Sequence, residues 1–176
     1  MTAAGARGSA DPDPEPPADA EAVARNIALG RLSRAPQTRG QLEQVLRRRQ
    51  VPEEVTRRLL DRFTEVGLVD DASFADAWVE SRHAGRGLGR RALAHELRQR
   101  VVDDELIEAA LSGLDPDTEQ ARARALVTAR LPSTRRLDHD ARIRRLVGML
   151  ARKGYAPGQA LRVVREVLTE ADDQSS

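Results

Sequence analysis

The chain has 176 residues, of which 29 are basic and 28 acidic, so its formal net charge is only +1 and it has room for one medium domain or several small modules. This balance excludes a polycation of the histone class, and the absence of cysteine excludes disulfides, thiol nucleophiles and cysteine-ligated metals. No apolar run approaches the roughly 20 residues that span a bilayer, and no secretory signal is recognisable. We therefore expect a cytoplasmic protein without a membrane partner.

Both ends of the sequence are predicted to be disordered tails, over residues 1–20 and 171–176. The first contains four prolines and four acidic residues before residue 20, and it has too few apolar side chains to offset the entropy of ordering. Between these ends, residues 21–165 keep 28 basic and 20 acidic residues, a net charge of +8. The part of the chain expected to fold is therefore basic.

Apolar residues between the tails recur at helical spacing, as in the stripe of Val55, Leu59, Leu60 and Phe63. Prolines and glycines interrupt this pattern at regular intervals and divide the chain into about nine segments of ordinary helix length. No sustained two-residue alternation typical of strands occurs. The sequence therefore predicts an all-α fold.

An internal repeat organises these helices. Residues 46–55 align without gaps on residues 97–106, and residues 150–157 form a weaker third copy, at offsets of 51 and 53 residues. This period suits a three-helix unit. We predict three tandem three-helix repeats over residues 21–68, 69–114 and 115–170, arranged as an elongated, curved array of right- or left-handed sense. Each module is expected to bury apolar faces internally and against its neighbours.

The residue types that usually carry catalysis or bind metals are not arranged for it. Asp70 and Asp71 are adjacent and would point about 100° apart on a helix, so helix capping explains them better. The three histidines share no metal-binding spacing. The glycines of residues 85–89 lack the lysine and the preceding strand of a phosphate loop, and are expected to form a flexible link with positive backbone angles. We expect no enzyme, no cofactor and no metal.

The arginines remain as candidates for function. On a helix Leu93 and Leu97 would face the core while Arg91 and Arg98 project from the opposite side, and Arg145 with Arg152 repeats this arrangement. A merely solvated face is the alternative for any single pair. Repetition along the modules favours a basic strip that contacts phosphates or an acidic protein surface. The candidate partner-binding residues are Arg47, Arg48, Arg49, Arg82, Arg86, Arg90, Arg91, Arg98, Arg100, Arg145 and Arg152.

The sequence resembles the RecX family of regulatory proteins. The likeness is most specific over residues 68–82, 85–91 and 95–100, and it extends from about residue 24 to residue 168 as three repeats. Family members often have a glycine in the second turn of a repeat, where this chain has Gln50 and Val101, and only Gly154 keeps it. The signature residues, expected to have structural roles, are Asp71, Phe74, Ala75, Trp78, Gly87, Gly89 and Leu97; Phe74 and Trp78 are expected in the core rather than as base-stacking groups.

This resemblance implies a non-enzymatic modulator of the RecA recombinase that lies in the groove of the RecA filament on DNA. Such a protein restrains ATP hydrolysis, strand exchange and co-protease activity, and so acts in DNA repair, recombination and the SOS response. We expect a monomer that binds the RecA filament, with weak DNA binding. The alternative is a direct DNA-binding repeat protein that occupies the strand.

Overall fold

The structure, a computed structural model, describes residues 18–173, which form helices and the turns between them. The first module contains α1 (Ala18–Leu32), α2 (Arg39–Arg48) and α3 (Glu53–Glu65), the second α4 (Asp71–Arg86), α5 (Arg90–Gln99) and α6 (Asp104–Ser112), and the third α7 (Pro116–Arg130), α8 (His139–Arg152) and α9 (Pro157–Asp173). A short 3₁₀ helix, Leu131–Thr134, follows α7. The predicted all-α fold of three three-helix repeats is confirmed.

The outer helices are longer than the sequence predicts. α1 begins at Ala18 and α9 continues to Asp173, so each takes three residues that the sequence assigns to a tail. The rest of the two predicted tails, residues 1–17 and 174–176, lies outside the described residues.

Polar side chains fix where several helices begin. Thr38 and Gln41 form a reciprocal capping box at the start of α2. Asp70 caps α4, since its Oδ1 accepts a hydrogen bond from the Ser73 N–H at 2.9 Å, and the bonds from Ser73 hold the pKa of the Asp70 carboxyl below its usual range. The capping prediction is therefore correct for Asp70. Asp71 is not the cap but the first residue of α4, where its charge suits the helix dipole, and its carboxylate has another partner.

Each module has a hydrophobic core of its own. Extensive helix packing occurs between helices of the same module, and the buried apolar residues fall into three clusters, one per module. The prediction that each module buries apolar faces internally is therefore confirmed, whereas burial against neighbours is limited to local contacts such as that of Gly40 with Val101. The modules meet at two small joints. In each joint, the turn that follows the middle helix of one module contacts the start of the middle helix of the module before it.

The first joint lies between the start of α2 and the turn after α5. Thr38 Oγ1 donates to the Arg100 carbonyl oxygen at 2.5 Å, and the Arg39 N–H donates to Asp71 Oδ1 at 2.8 Å. Gly40 packs so tightly on this turn that a Cβ there would lie 2.5 Å from Val101 Cγ1. The joint therefore combines a hydrogen bond that satisfies an N–H at the start of α2 with a contact that only glycine permits.

The second joint repeats this pattern between the start of α5 and the turn after α8. The N–H of Gly89 donates to the Lys153 carbonyl oxygen at 2.8 Å, and that of Arg91 to the Gly154 carbonyl oxygen at 3.1 Å. The N–H of Arg90 donates to Glu119 Oε1 at 3.1 Å, as Arg39 does to Asp71. In both joints, the first N–H of a middle helix donates a hydrogen bond to a carboxylate on the first helix of the next module.

The turns that end the middle helices share one conformation. Gln50, Val101 and Gly154 all have positive φ, of 58°, 57° and 89°, and the residue after each donates its N–H to the carbonyl oxygen of Leu46, Leu97 or Leu150. This is the left-handed cap of a Schellman motif, in which glycine is preferred. Gln50 and Val101 therefore keep the turn geometry although they stand where family members often have glycine.

Gln50→Gly should stabilise the protein. Gln50 is exposed and takes part in neither joint, so glycine relieves the left-handed strain without removing a contact. We expect a gain of about 1 kcal/mol in the free energy of unfolding, or roughly 2 to 4 °C in Tm, measured by thermal denaturation. Val101→Gly is the comparison, and should gain less because Val101 packs on Gly40; an equal gain would contradict the importance of that contact.

Tyr155, at the second joint, should titrate abnormally. Its hydroxyl donates to the Gly87 carbonyl oxygen at 3.2 Å, and burial, followed by the charge of Glu119, raises its pKa to about 12. Since this pKa is raised on folding, the stabilisation is complete below pH 10 and is lost as the pH rises towards 12. Ultraviolet titration of this single tyrosine should show the shift, and Tyr155→Phe should flatten the alkaline fall in stability. A titration midpoint near pH 10 would show that the second joint is open and does not bury the Tyr155 hydroxyl.

Candidate partner interface

Arg91 and Arg98 lie together on the outer face of α5. Both are exposed, whereas Leu93 and Leu97 are fully buried beneath them, as their spacing predicts. They line a shallow depression of about 410 Å³ between α5 and α6. Arg98 Nε lies 2.8 Å from Asp104 Oδ1, and no ion pair is found for Arg91 among the described residues. This face presents a free guanidinium beside a second that is held by an exposed ion pair.

Arg90, which the sequence places in the same basic group, belongs to the second joint. Its Nε lies 3.1 Å from the buried Glu119 carboxylate. Its two terminal nitrogens donate to the carbonyl oxygens of Leu111 and Leu114 at the end of α6. The side chain therefore joins α5 to α6 and α7, which gives it a structural role within the protein.

Trp78 is the centre of a second basic group, the Trp78 cluster, which comprises Trp78, Arg82, Arg86, Glu96 and Arg100. The guanidinium carbons of Arg82 and Arg100 lie 4.1 and 3.6 Å from the ring centroid, within the range of cation–π attraction. The indole Nε1 donates to Glu96 Oε2 at 3.0 Å. Arg82 and Arg86 pair with the same carboxylate, at 3.5 and 3.3 Å.

The aromatic pair is only partly in the core. Phe74 and Trp78 stack with ring centroids 5.8 Å apart and pack against the core of the second module, but both are half-buried. The prediction that they are core residues is correct for one side of each ring and wrong for the other. Their outer side contributes to the surface between modules one and two.

The other candidate arginines lie on the outer surface of modules one and three. Arg47, Arg48 and Arg49 are exposed at the end of α2, and Arg145 and Arg152 are exposed on α8. Within residues 18–173, none of these five forms an ion pair within 4 Å. Their positive charges are therefore available to a partner.

The signature residues have structural roles that the sequence could not specify. Gly87 ends α4 with φ of 63°. Gly89 has an ordinary φ but touches Gly154, since a Cβ on it would lie 3.0 Å from the Gly154 carbonyl. Gly85 lies inside α4, so the link is limited to residues 87–89. These are buried and hydrogen-bonded at the second joint, so the prediction of a flexible link is wrong, and positive φ is found only at Gly87. Ala75 and Leu97 are fully buried in the second core.

Asp71 supports the first joint from α4. Its carboxylate accepts the Arg39 N–H, and burial raises its pKa above the usual value although this hydrogen bond acts in the opposite direction. Glu96, Glu119 and Gly40 are equally important, and sequence reasoning missed all three. Each acts through residues at least 10 positions away, on another helix or turn, and local spacing carries no signal for such contacts.

Neither a metal-binding cluster nor a membrane-spanning helix is found in the part of the chain that the structure describes. No group of three or more histidine, cysteine or acidic side chains is placed to hold a metal ion between residues 18 and 173. Over the same residues, no helix has the length and hydropathy required to cross a membrane.

Comparison with known families identifies the three modules. Models of the first, second and third three-helix domains of RecX match residues 24–63, 70–111 and 117–164. The protein named regulatory protein RecX of Thermobifida fusca is 60% identical over 152 residues, covering 86% of this chain and 82% of its own. The regulatory protein RecX of Streptomyces coelicolor is 55% identical over 161 residues, covering 92% and 86%.

Two crystal structures have the same fold. RecX from Lactobacillus salivarius superimposes with a TM-score of 0.80, covering 85% of this chain and 97% of its own at 19% identity. A second structure of a regulatory protein RecX gives a TM-score of 0.74, covering 85% and 73% at 22% identity. At these identities the agreement concerns the fold.

Proposed function

The chain belongs to the RecX family of regulatory proteins, and from this premise we propose that it binds the RecA nucleoprotein filament in the cytoplasm and modulates it without catalysis. The expected direction is inhibition of ATP hydrolysis, strand exchange and co-protease activity. The observation that supports the proposal is that each of the three modules carries exposed arginines for which no ion pair is found within residues 18–173, namely Arg47 to Arg49, Arg91, and Arg145 with Arg152.

The modular fold suits a filament as the partner. A filament repeats the same surface at fixed intervals, and modules with separate cores, held by short joints, keep their arginines at fixed separations. Contacts that are weak singly then add through effective concentration. A regulator bound across neighbouring subunits inhibits if it prefers one state of the filament's ATPase cycle.

Titration of the ATPase tests this function directly. RecA, single-stranded DNA and ATP are mixed with increasing amounts of the purified chain, and the rate of hydrolysis is expected to fall. Inhibition that needs amounts comparable to RecA indicates coating of the filament groove, whereas inhibition far below that ratio indicates capping of filament ends. A rate that does not change would overturn the proposal.

Direct DNA binding is the competing function, supported by the same exposed arginines. A protein that acts by occupying the strand should bind bare single-stranded DNA, with a logarithmic salt slope of about 0.7 per contacted phosphate. The filament regulator should bind the filament at salt concentrations that abolish its binding to bare DNA. Fluorescence anisotropy of labelled DNA with and without RecA separates the two functions.

A further inference from the structure

A groove of about 730 Å³ lies between the first and second modules, on the side of the Trp78 cluster. Its walls come from the end of α1 with the loop after it, from the link between α3 and α4, and from one face of α4. Because both modules contribute, the groove exists only when the first joint is closed. It is separate from the depression that Arg91 and Arg98 line.

The floor of the groove is apolar and accessible. Leu68 is 49% exposed, and Leu32, Phe74 and Trp78 are half-buried beside it. A single exposed leucine is ordinary on a protein surface. A half-buried tryptophan that lines the same groove as arginines and Phe74 has instead the composition of a protein-interface centre, where aromatic residues and arginine are enriched.

One end of the groove carries positive charge that residues 18–173 neutralise only in part. The guanidinium of Arg100 lies on Trp78 but, within the described residues, makes no hydrogen bond or ion pair, and burial followed by repulsion from Arg82 lowers its pKa. Arg82 shares the one carboxylate of Glu96 with Arg86. The three arginines of the Trp78 cluster thus face a single acid, and a carboxylate from outside would complete the set.

The other end of the groove carries the opposite charge. Asp70 lies there, twelve residues before Arg82 on α4, a helical distance of about 18 Å. An extended peptide covers that distance with about five or six residues. The groove therefore has room for about five or six extended residues, with an apolar middle and a defined cationic end.

We propose that this groove binds a short extended segment of a protein partner, with apolar side chains on Leu68, Phe74 and Trp78 and a carboxylate on Arg100. The inference rests on the proposed function in taking the partner to be a protein. A polynucleotide fits less well, because its phosphates repeat along the strand whereas the cations stand at one end and Asp70 at the other.

Trp78 is the chain's single tryptophan, so its fluorescence reports on the groove without labelling. The full chain is titrated with the peptide acetyl-Lys-Leu-Ser-Leu-Glu-amide, whose charges match the two ends of the groove and whose leucines lie on one side when the peptide is extended. Three controls are the same peptide with both leucines replaced by serine, the same peptide with lysine in place of the glutamate, and oligothymidylate. The leucine peptide should give a saturable change with a Kd below about 1 mM. The controls should give none.

Matched variants locate the binding, measured by calorimetry. Leu68→Ser and Arg100→Gln should each weaken peptide binding at least tenfold. Val66→Ser and Arg165→Gln should leave it unchanged, since Val66 is 62% exposed but outside the groove and Arg165 is exposed on α9, also outside it. Circular dichroism confirms that each variant is folded.

Two results would overturn the inference. One is the absence of saturable binding of the leucine peptide by the folded chain, and the other is a saturable response to oligothymidylate alone, which would assign the groove to nucleic acid. Neither result depends on RecA. If the chain still inhibits the recombinase ATPase while the peptide does not bind, the groove proposal fails and the proposed function stands.

Discussion

The variant carrying both Arg91→Glu and Arg98→Glu should fold normally and lose most of its inhibition of the recombinase ATPase. Both side chains are exposed above a buried leucine pair, so each change should alter the free energy of unfolding by only about 0.5 kcal/mol. The ion pair of Arg98 with Asp104 is also exposed and contributes at most about 1 kcal/mol. Loss of an interfacial arginine that pairs with an acid costs about 2 kcal/mol or more, so inhibition should need at least roughly thirty times more protein.

The control for this variant is Arg162→Glu with Arg165→Glu. These arginines are exposed on α9, so their reversal changes the net charge equally at a different place. The control should keep nearly full inhibition if the α5 face makes the contact. Equal losses in both variants would show that total charge matters, and full inhibition by the Arg91 and Arg98 variant would show that its face is merely solvated.

Gly154→Ala should cause the largest loss of stability among single changes at the joints. Gly154 has φ of 89°, and a Cβ on it would lie 2.3 Å from the Ala92 nitrogen and 2.5 Å from its Cβ. Backbone crowds the site, so the clash is relieved only if the second joint opens. A left-handed alanine and an overpacked contact together should lower the free energy of unfolding by about 3 kcal/mol, measured by urea denaturation.

Gly67→Ala separates the two causes of this loss. Gly67 also has a positive φ, of 73°, but nothing lies within 4 Å of a Cβ placed there. Its substitution should therefore cost only the conformational strain, about 1 kcal/mol. Equal losses in the two variants would mean that the close packing of Gly154 on α5 is unimportant. Opening of the joint should also return the Tyr155 pKa towards its ordinary value, because its burial is then lost.

Much of the fold could be predicted from the sequence because the determining signals are local or repeat at a fixed period. The apolar stripe from Val55 to Phe63 predicts a helix, and the capping box at Thr38 predicts where one begins. The 51- and 53-residue offsets predict three copies of one unit. The opposite placement of Leu97 and Arg98 follows in the same way from helical geometry alone.

The roles of individual polar residues depend on the tertiary structure instead. Arg90 and Arg91 are neighbours in sequence and equally basic, yet Arg90 is bound to Glu119 and to carbonyl oxygens at the end of α6, while Arg91 is exposed without such partners among the described residues. No local pattern distinguishes them, since the partners of Arg90 lie more than 20 residues away. The same holds for Arg100, whose place beside Trp78 is set by the packing of α4 on α5.

Helix content, repeat number and the inner and outer faces of the helices were thus determined by the sequence itself, because hydrophobic periodicity and capping act within a few residues. Only the tertiary structure decided which arginines remain available, how the modules join, and that a groove opens between the first two. These features arise where separate segments meet, as Gly40 meets Val101 and Gly89 meets Gly154, and there the free energy depends on distances that sequence spacing does not encode.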